Sequence, residues 1–179
     1  NIFSKIVCSS ESNKILNLCK KKKIPFIKRP KKISKEDSNV IDAVKHVLEI
    51  EKKISQKQYG FIALLQPTSP FLSISDIKKC CNLIRKKNNL NCVQTIHQTP
   101  HNYHYLNTRI LKKKFLEFKF EKERKIKFNK QKKIKTYNFG NFIVSRIDRL
   151  IKDKSLFLKP CGFIEINKIK SFDLDSFED

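Results

Sequence analysis

G-F-I-A-L-L-Q-P-T-S-P-F, residues 60–71, is the stretch on which the architecture turns. Phe61, Ile62, Ala63, Leu64 and Leu65 are apolar without alternation, which predicts a central strand covered on both faces, as in the parallel sheets of α/β proteins. Pro67 and Pro70 then fix φ and remove two backbone donors, so the chain leaves the strand as a braced loop. That loop places Gln66, Thr68 and Ser69 at the carboxyl end of a strand, where open α/β sheets bind their ligands.

Outward from this loop, strands and helices alternate. Residues 2–7 are apolar enough for an opening strand, and the polar turn Cys8-Ser9-Ser10-Glu11-Ser12 is rich in helix-capping residues. Ile15, Leu16, Leu18 and Cys19 give one apolar helical face that ends in four lysines, and residues 24–27 read as a second strand closed by Arg29-Pro30. Val40, Ile41, Val44, Val47, Leu48 and Ile54 recur at helical spacing, with His46 among them as a structural histidine. Ser75 and Asp76 begin another helix with Ile77, Cys80, Cys81 and Ile84 inward, and residues 91–96 form the next strand. This order implies right-handed crossovers and a parallel sheet. Residues 139–144 return as a strand, 147–151 start a short helix, and Phe163, Ile164 and Ile166 make one more strand.

A chain of 179 residues is the size of one domain, and residues 1–179 are read as one. No apolar run approaches the roughly 18 residues that cross a bilayer, and no signal peptide is evident, so a cytoplasmic protein without membrane partners is expected. The formal charge of +23 invites a nucleic-acid reading. Its make-up argues otherwise. Arginine stands only at 29, 85, 109, 124, 146 and 149, so lysine spread along the whole chain supplies the charge, while Ala and Gly are nearly absent. That skew suits an A+T-rich coding sequence filling solvated positions with lysine, and nucleic acid is not the expected partner. Six cysteines lack Cys-x-x-Cys spacing and read as small apolar residues in a reducing compartment. Methionine is absent even at position 1, which reads as a fragment of a longer chain.

Three further stretches carry possible chemistry. His97, His101 and His104 have spacings of four and three, but Pro100 interrupts them and no carboxylate accompanies them, so metal binding there is not expected. Residues 109–135 alternate Phe115, Phe118 and Phe120 with charged residues and then become strongly basic, which suits an exposed hairpin or arm: a partner contact, a basic ligand clamp, or an RNA-binding surface. Residues 171–179, S-F-D-L-D-S-F-E-D, gather four acids. In a strand, Asp173 and Asp175 would share a face about 7 Å apart, a spacing that holds Mg²⁺ between carboxylates and nucleotide phosphates.

Leu64-Leu65-Gln66-Pro67-Thr68-Ser69-Pro70 resembles the L-L-Q-P-T-S-P motif of the acylneuraminate cytidylyltransferases, which make CMP-activated sialic and related nonulosonic acids. Val7-Cys8-Ser9-Ser10-Glu11 resembles the family's V-S-T-D turn with Ser10 in place of the Asp. Arg29-Pro30, Asp37-Ser38, Ile41-Asp42 and His46-Val47-Leu48 follow its pattern in order, and Ser171-Phe172-Asp173-Leu174-Asp175 with Asp179 is similar to its S-I-D-I-D segment and the Asp beyond.

The resemblance implies a three-layer α/β fold with a mostly parallel sheet, the Rossmann-like nucleotide-diphospho-sugar transferase fold with a basic insertion arm. It implies CTP and a 2-keto sugar acid as substrates, pyrophosphate as product, and Mg²⁺ held by Asp173 and Asp175. Gln66, Thr68, Ser69 and Asn141 would face the sugar, and Ser10, Arg29 and Ser38 would lie near the nucleotide. The arm at 109–135 would serve homodimerisation. A nucleic-acid module on a decayed scaffold and a 3-deoxy-octulosonate enzyme are the alternatives. The chain departs from the family in lacking its glycine-rich phosphate loop and amino-terminal strand, in carrying Phe71-Leu72 for Leu-Arg, and in reading Phe139-Gly140-Asn141 where the family has Asn-Gly, so the stretch 1–179 alone is expected to bind CTP poorly and to be inactive.

Overall fold

The computed structural model describes residues 1–179 apart from the side chain of Lys130. The chain forms two compact units, Asn1–Ala63 with Cys81–Val93 and Val144–Cys161 in one, and Leu64–Cys80 with Gln94–Ile143 and Gly162–Asp179 in the other.

In the first unit, strand β1 (Cys8–Ser10) pairs in parallel with β2 (Phe26–Lys28), with Ser10 opposite Lys28. Helix α1 (Asn13–Lys21) joins them and buries Leu16 and Cys19. The opening strand expected over residues 2–7 does not form. Those residues have no strand partner among the described residues, and Ile6 is 59% exposed, so apolar character alone did not supply a sheet position. Helix α2 (Val40–Ser55) starts at Asn39, whose side chain accepts the Ile41 N–H at 3.0 Å. It buries Ile41, Ala43 and Val44, while Val40 and Ile54, expected inward, face solvent. The carboxyl-terminal part of α3 (Ile74–Lys86) contributes Cys81 and Ile84 to a core with Cys92, Val93, Leu150, Leu156 and Leu158. There Ser145 and Cys92 donate to the Leu156 and Leu158 carbonyls, so the buried polar groups are satisfied.

A four-stranded sheet has the order β3-β7-β4-β8, made of β3 (Phe61–Leu65), β4 (Cys92–Gln98), β7 (Tyr137–Arg146) and β8 (Cys161–Glu165). Two expectations are corrected here. β3 ends the order, and its side chains are half-buried, with Leu65 44% exposed, so an unbroken apolar run did not mean cover on both faces. β7 is not parallel to β4. In the second unit the Phe142 N–H meets Thr95 Oγ1 and the Thr99 N–H meets the Thr136 carbonyl, so residue numbers fall on one strand as they rise on the other. Gly140 makes that pairing possible, because a Cβ there would lie 2.8 Å from Thr95 Oγ1 and 2.9 Å from the Thr95 carbonyl carbon.

The second unit also holds the expected hairpin. β5 (Arg109–Lys112) pairs antiparallel with β6 (Phe115–Phe118), followed by the short helix α4 (Glu121–Ile126). Helix α5 (Ile147–Asp153), in the first unit, buries Leu150. No disulfide joins the six cysteines, and among the described residues no helix is long and apolar enough to cross a membrane.

Candidate active site

The braced loop after β3 and the acidic segment near residue 173 lie against each other within the second unit. Gln66 accepts the Ser69 N–H at 3.2 Å through its carbonyl, folding the loop back so that the Ser69 hydroxyl, buried, donates to Asp173 Oδ1 at 3.4 Å. One residue on, the Leu174 N–H donates to the Thr68 carbonyl at 2.8 Å. Phe71 and Phe172 meet edge to face with centroids 6.2 Å apart, an arrangement that suits the ring quadrupoles. The phenylalanine that replaces an expected leucine therefore has a packing role.

The strand expected around Asp173 and Asp175 is absent. A 3₁₀ turn covers Ile169–Ser171 and the chain then runs irregularly, because its backbone bonds go to the loop at Thr68 and to its own carboxyl end rather than to a sheet neighbour. Asp173 is half-buried and Asp175 exposed. Asp179 closes a turn by accepting from the Asp175 N–H, the Ser176 N–H and the Ser176 hydroxyl at 2.9, 2.8 and 3.0 Å. The backbone bond from Ser176, then that from Asp175, then the hydroxyl hold its carboxyl below the ordinary range. Among the described residues no group of three or more His, Cys, Asp or Glu forms a metal cluster. Asp173 and Asp175 are two hard oxygen donors, a set whose chemistry suits a hard divalent cation such as Mg²⁺ or Mn²⁺ completed by water and phosphate oxygens.

Asn141 is buried in β7 with φ 68°, and its amide donates to the Ser171 carbonyl at 3.0 Å. Its described contact is thus to the backbone that carries Asp173.

Sequence reading missed an ion pair with a buried carboxylate in the same unit. Asp76, 3% exposed in the first turn of α3, accepts from Ser73 Oγ at 2.6 Å and from Lys170 Nζ at 2.7 Å, while its own N–H donates to Ser73 Oγ at 3.2 Å. Burial alone would raise this carboxyl's pKa, but the hydrogen bonds from Lys170 and Ser73, with the charges of Lys170 and Lys79, together bring it below the ordinary value. Ser73-Ile74-Ser75-Asp76 is a capping box legible in sequence; its partner Lys170, far along the chain, is not.

The nucleotide candidates fall in the first unit, Ser10 and Arg29 at the carboxyl ends of β1 and β2. Ser10 is buried, and its hydroxyl accepts the Ser12 N–H at 3.2 Å, while its carbonyl accepts the Arg29 N–H at 2.8 Å. The Arg29 guanidinium donates to Ser34 Oγ at 3.0 Å and Glu11 Oε2 at 2.7 Å, and that bond holds the Glu11 carboxyl below its ordinary range. Ser38 stands apart in a local turn, accepting the Lys35 N–H at 2.9 Å. Ser10 and Arg29 are therefore brought together, whereas Ser38 shows no tie to them.

Of the histidines, His104 is consumed structurally: Nδ1 accepts from the Leu106 N–H at 3.2 Å, so Nε2 carries the proton toward the Ile134 carbonyl at 3.0 Å.

This α/β arrangement is a known one. It is similar to the solved structure of CMP:2-keto-3-deoxy-manno-octonic acid synthetase complexed with CTP, with TM-score 0.60 at 9% identity over 92% of this chain and 73% of that one, which establishes the fold. No curated protein matches the sequence. Residues 1–157 match the cytidylyltransferase family, and the chain belongs to that family.

Proposed function

We propose that this cytidylyltransferase moves CMP from CTP to a 2-keto sugar acid, an N-acylneuraminate or related nonulosonic acid, with release of pyrophosphate. The observation that carries the reading is the docking of the Gln66–Ser69 loop on the Asp173 segment, through Ser69 Oγ to Asp173 and Leu174 N–H to Thr68, in a chain of this family. It brings the Ser69 hydroxyl, of a kind suited to a sugar, against the Asp173 carboxylate, of a kind suited to a metal nucleotide.

In this reading Gln66, Thr68, Ser69 and Asn141 orient the sugar acid, and Ser10, Arg29 and Ser38 serve the nucleotide. Asp173 and Asp175 would hold Mg²⁺, which when bound neutralises charge on the phosphates. The sugar's anomeric hydroxyl attacks the α-phosphorus and gives up its proton to solvent, the bond to the β-phosphate oxygen breaks, and pyrophosphate takes the electron pair. Such transfers need positioning and electrostatics more than covalent help, which suits a site without an activated nucleophile. The exposed hairpin β5–β6 is the homodimer contact.

The similar solved synthetase has a 2-keto-3-deoxy-octonic acid as its named sugar, which favours 3-deoxy-octulosonate as the second acceptor to test. The nucleic-acid reading is less well served, since Phe118, the half-buried ring of the hairpin, already carries Arg109 at 4.6 Å and Arg124 at 4.1 Å.

Pyrophosphate release from CTP by the protein expressed from its complete reading frame, with Mg²⁺ and a panel of 2-keto sugar acids, tests the reading. Release with a nonulosonic acid is expected; release only with 3-deoxy-octulosonate would move the acceptor to the second choice, and none with any acid would overturn the function. Asp175→Asn is expected to lower turnover about 100-fold, the loss typical when one electrostatic partner of a transition state is removed.

A further inference from the structure

We propose that Lys170, through its ion pair with Asp76, is a positioning residue that sets the Asp173/Asp175 pair for metal binding; this rests on the reading of those aspartates as the Mg²⁺ side of the site. The fixed end of the pair is Asp76. It is anchored in the first turn of α3 by the reciprocal bonds with Ser73, and as a buried carboxylate it demands a counter-charge. Lys170 supplies it at 2.7 Å and reaches Ser73 Oγ at 3.4 Å.

From Lys170 the chain needs three residues to reach Asp173, a span of at most about 10 Å, so fixing position 170 restricts where the Asp173 carboxylate can stand. Other ties are few. The Ser69 bond to Asp173 is long at 3.4 Å, and the Leu174 and Ser171 bonds hold backbone, not carboxylates. With no strand to hold residues 172–175, the ion pair anchors the amino-terminal side of this segment, while the Asp179 carboxylate ties the Asp175 and Ser176 N–H groups at its other end. A lysine placed there to neutralise Asp76 alone would stabilise the fold without affecting metal affinity, and that difference is measurable.

The test is Mn²⁺ binding to the full chain in the presence of CTP, read by electron paramagnetic resonance well below the unfolding midpoint of each variant. Lys170→Met is expected to weaken Mn²⁺ binding about 10-fold, the size seen when the support of a metal ligand is removed, and to raise the Mg²⁺ needed for half-maximal turnover by the same factor. Lys170→Arg, which keeps the charge, is expected to restore most of it. Lys170→Met binding Mn²⁺ like the wild type, while Asp175→Asn does not bind it, would overturn the positioning role and leave the metal reading standing. Wild-type affinity in Asp175→Asn would overturn both. Should Lys170→Met not fold, Ser73→Ala keeps the ion pair but removes the three hydrogen bonds of the Ser73 hydroxyl that hold Asp76 and Lys170, with a loss of about three-fold expected; no loss would count against the proposal.

Discussion

Asn141 shows how one residue can serve backbone geometry and a site together. Its φ of 68° is the left-handed region, which asparagine tolerates better than most side chains, and its amide holds the Ser171 carbonyl. Asn141→Gly keeps the conformation and loses the bond; Asn141→Ala loses both, so Ala is expected to cost about 1 kcal/mol more than Gly in urea unfolding. Equal costs would mean the backbone there is unstrained. Asp76 makes a pH prediction. Its folded pKa lies below the ordinary 3.8, so the carboxylate contributes stability above that value and loses it as pH falls through the folded pKa. Asp76→Asn is expected to be less stable by about 1–3 kcal/mol at neutral pH, with its deficit shrinking below about pH 4 as the wild-type group protonates. Parallel stability curves down to about pH 2 would remove Asp76 from the acid response.

At the scale of elements, the hairpin carries its own test. Leu111 faces Leu116 across the pair, 73% and 70% exposed, with Phe115 73% exposed beside them, a surface that a second copy of the chain would cover. Leu116→Lys is expected to lower the mass in light scattering from two chains to one; a one-chain mass for the unaltered protein would end the homodimer reading. How far the elements were legible follows from their physics. α3 was readable because Ile77, Cys80, Cys81 and Ile84 all turn inward, and the 109–118 hairpin because alternation is a local signal. The sequence hides several boundaries because glycine is scarce: the left-handed positions at Lys23, Gln56, Lys113, Asn141 and Lys154 all carry other residues, so helices α2 and α5 end at Gln56 and Lys154 without the usual mark. The loop and the aspartates were legible by resemblance to a family. Their mode of contact was not, since the irregular path of residues 172–175 depends on the Thr68 carbonyl and on Asp179, neither of which has a periodic signature.

For the molecule as a whole, charge decides a further outcome. A formal +23 on 179 residues means that the cations far outnumber the carboxylates that could offset them. Several of the ion pairs that do form are exposed on both sides, as between Lys112 and Glu117 or Lys125 and Glu121, and such pairs add little to stability. Self-repulsion over the surface should then outweigh them, and added salt should relieve it as the Debye length falls from about 10 Å at 0.1 M to about 3 Å at 1 M. Salt also weakens the pairs, but those between Lys170 and Asp76 and between Lys5 and Glu51 are shielded by the burial of their carboxylates and are screened less than the exposed ones. The thermal midpoint is therefore expected to rise with sodium chloride by about 3 °C for each kcal/mol of repulsion removed. A midpoint that falls instead would mean that the lysines are matched to the acids of the fold more closely than their number allows.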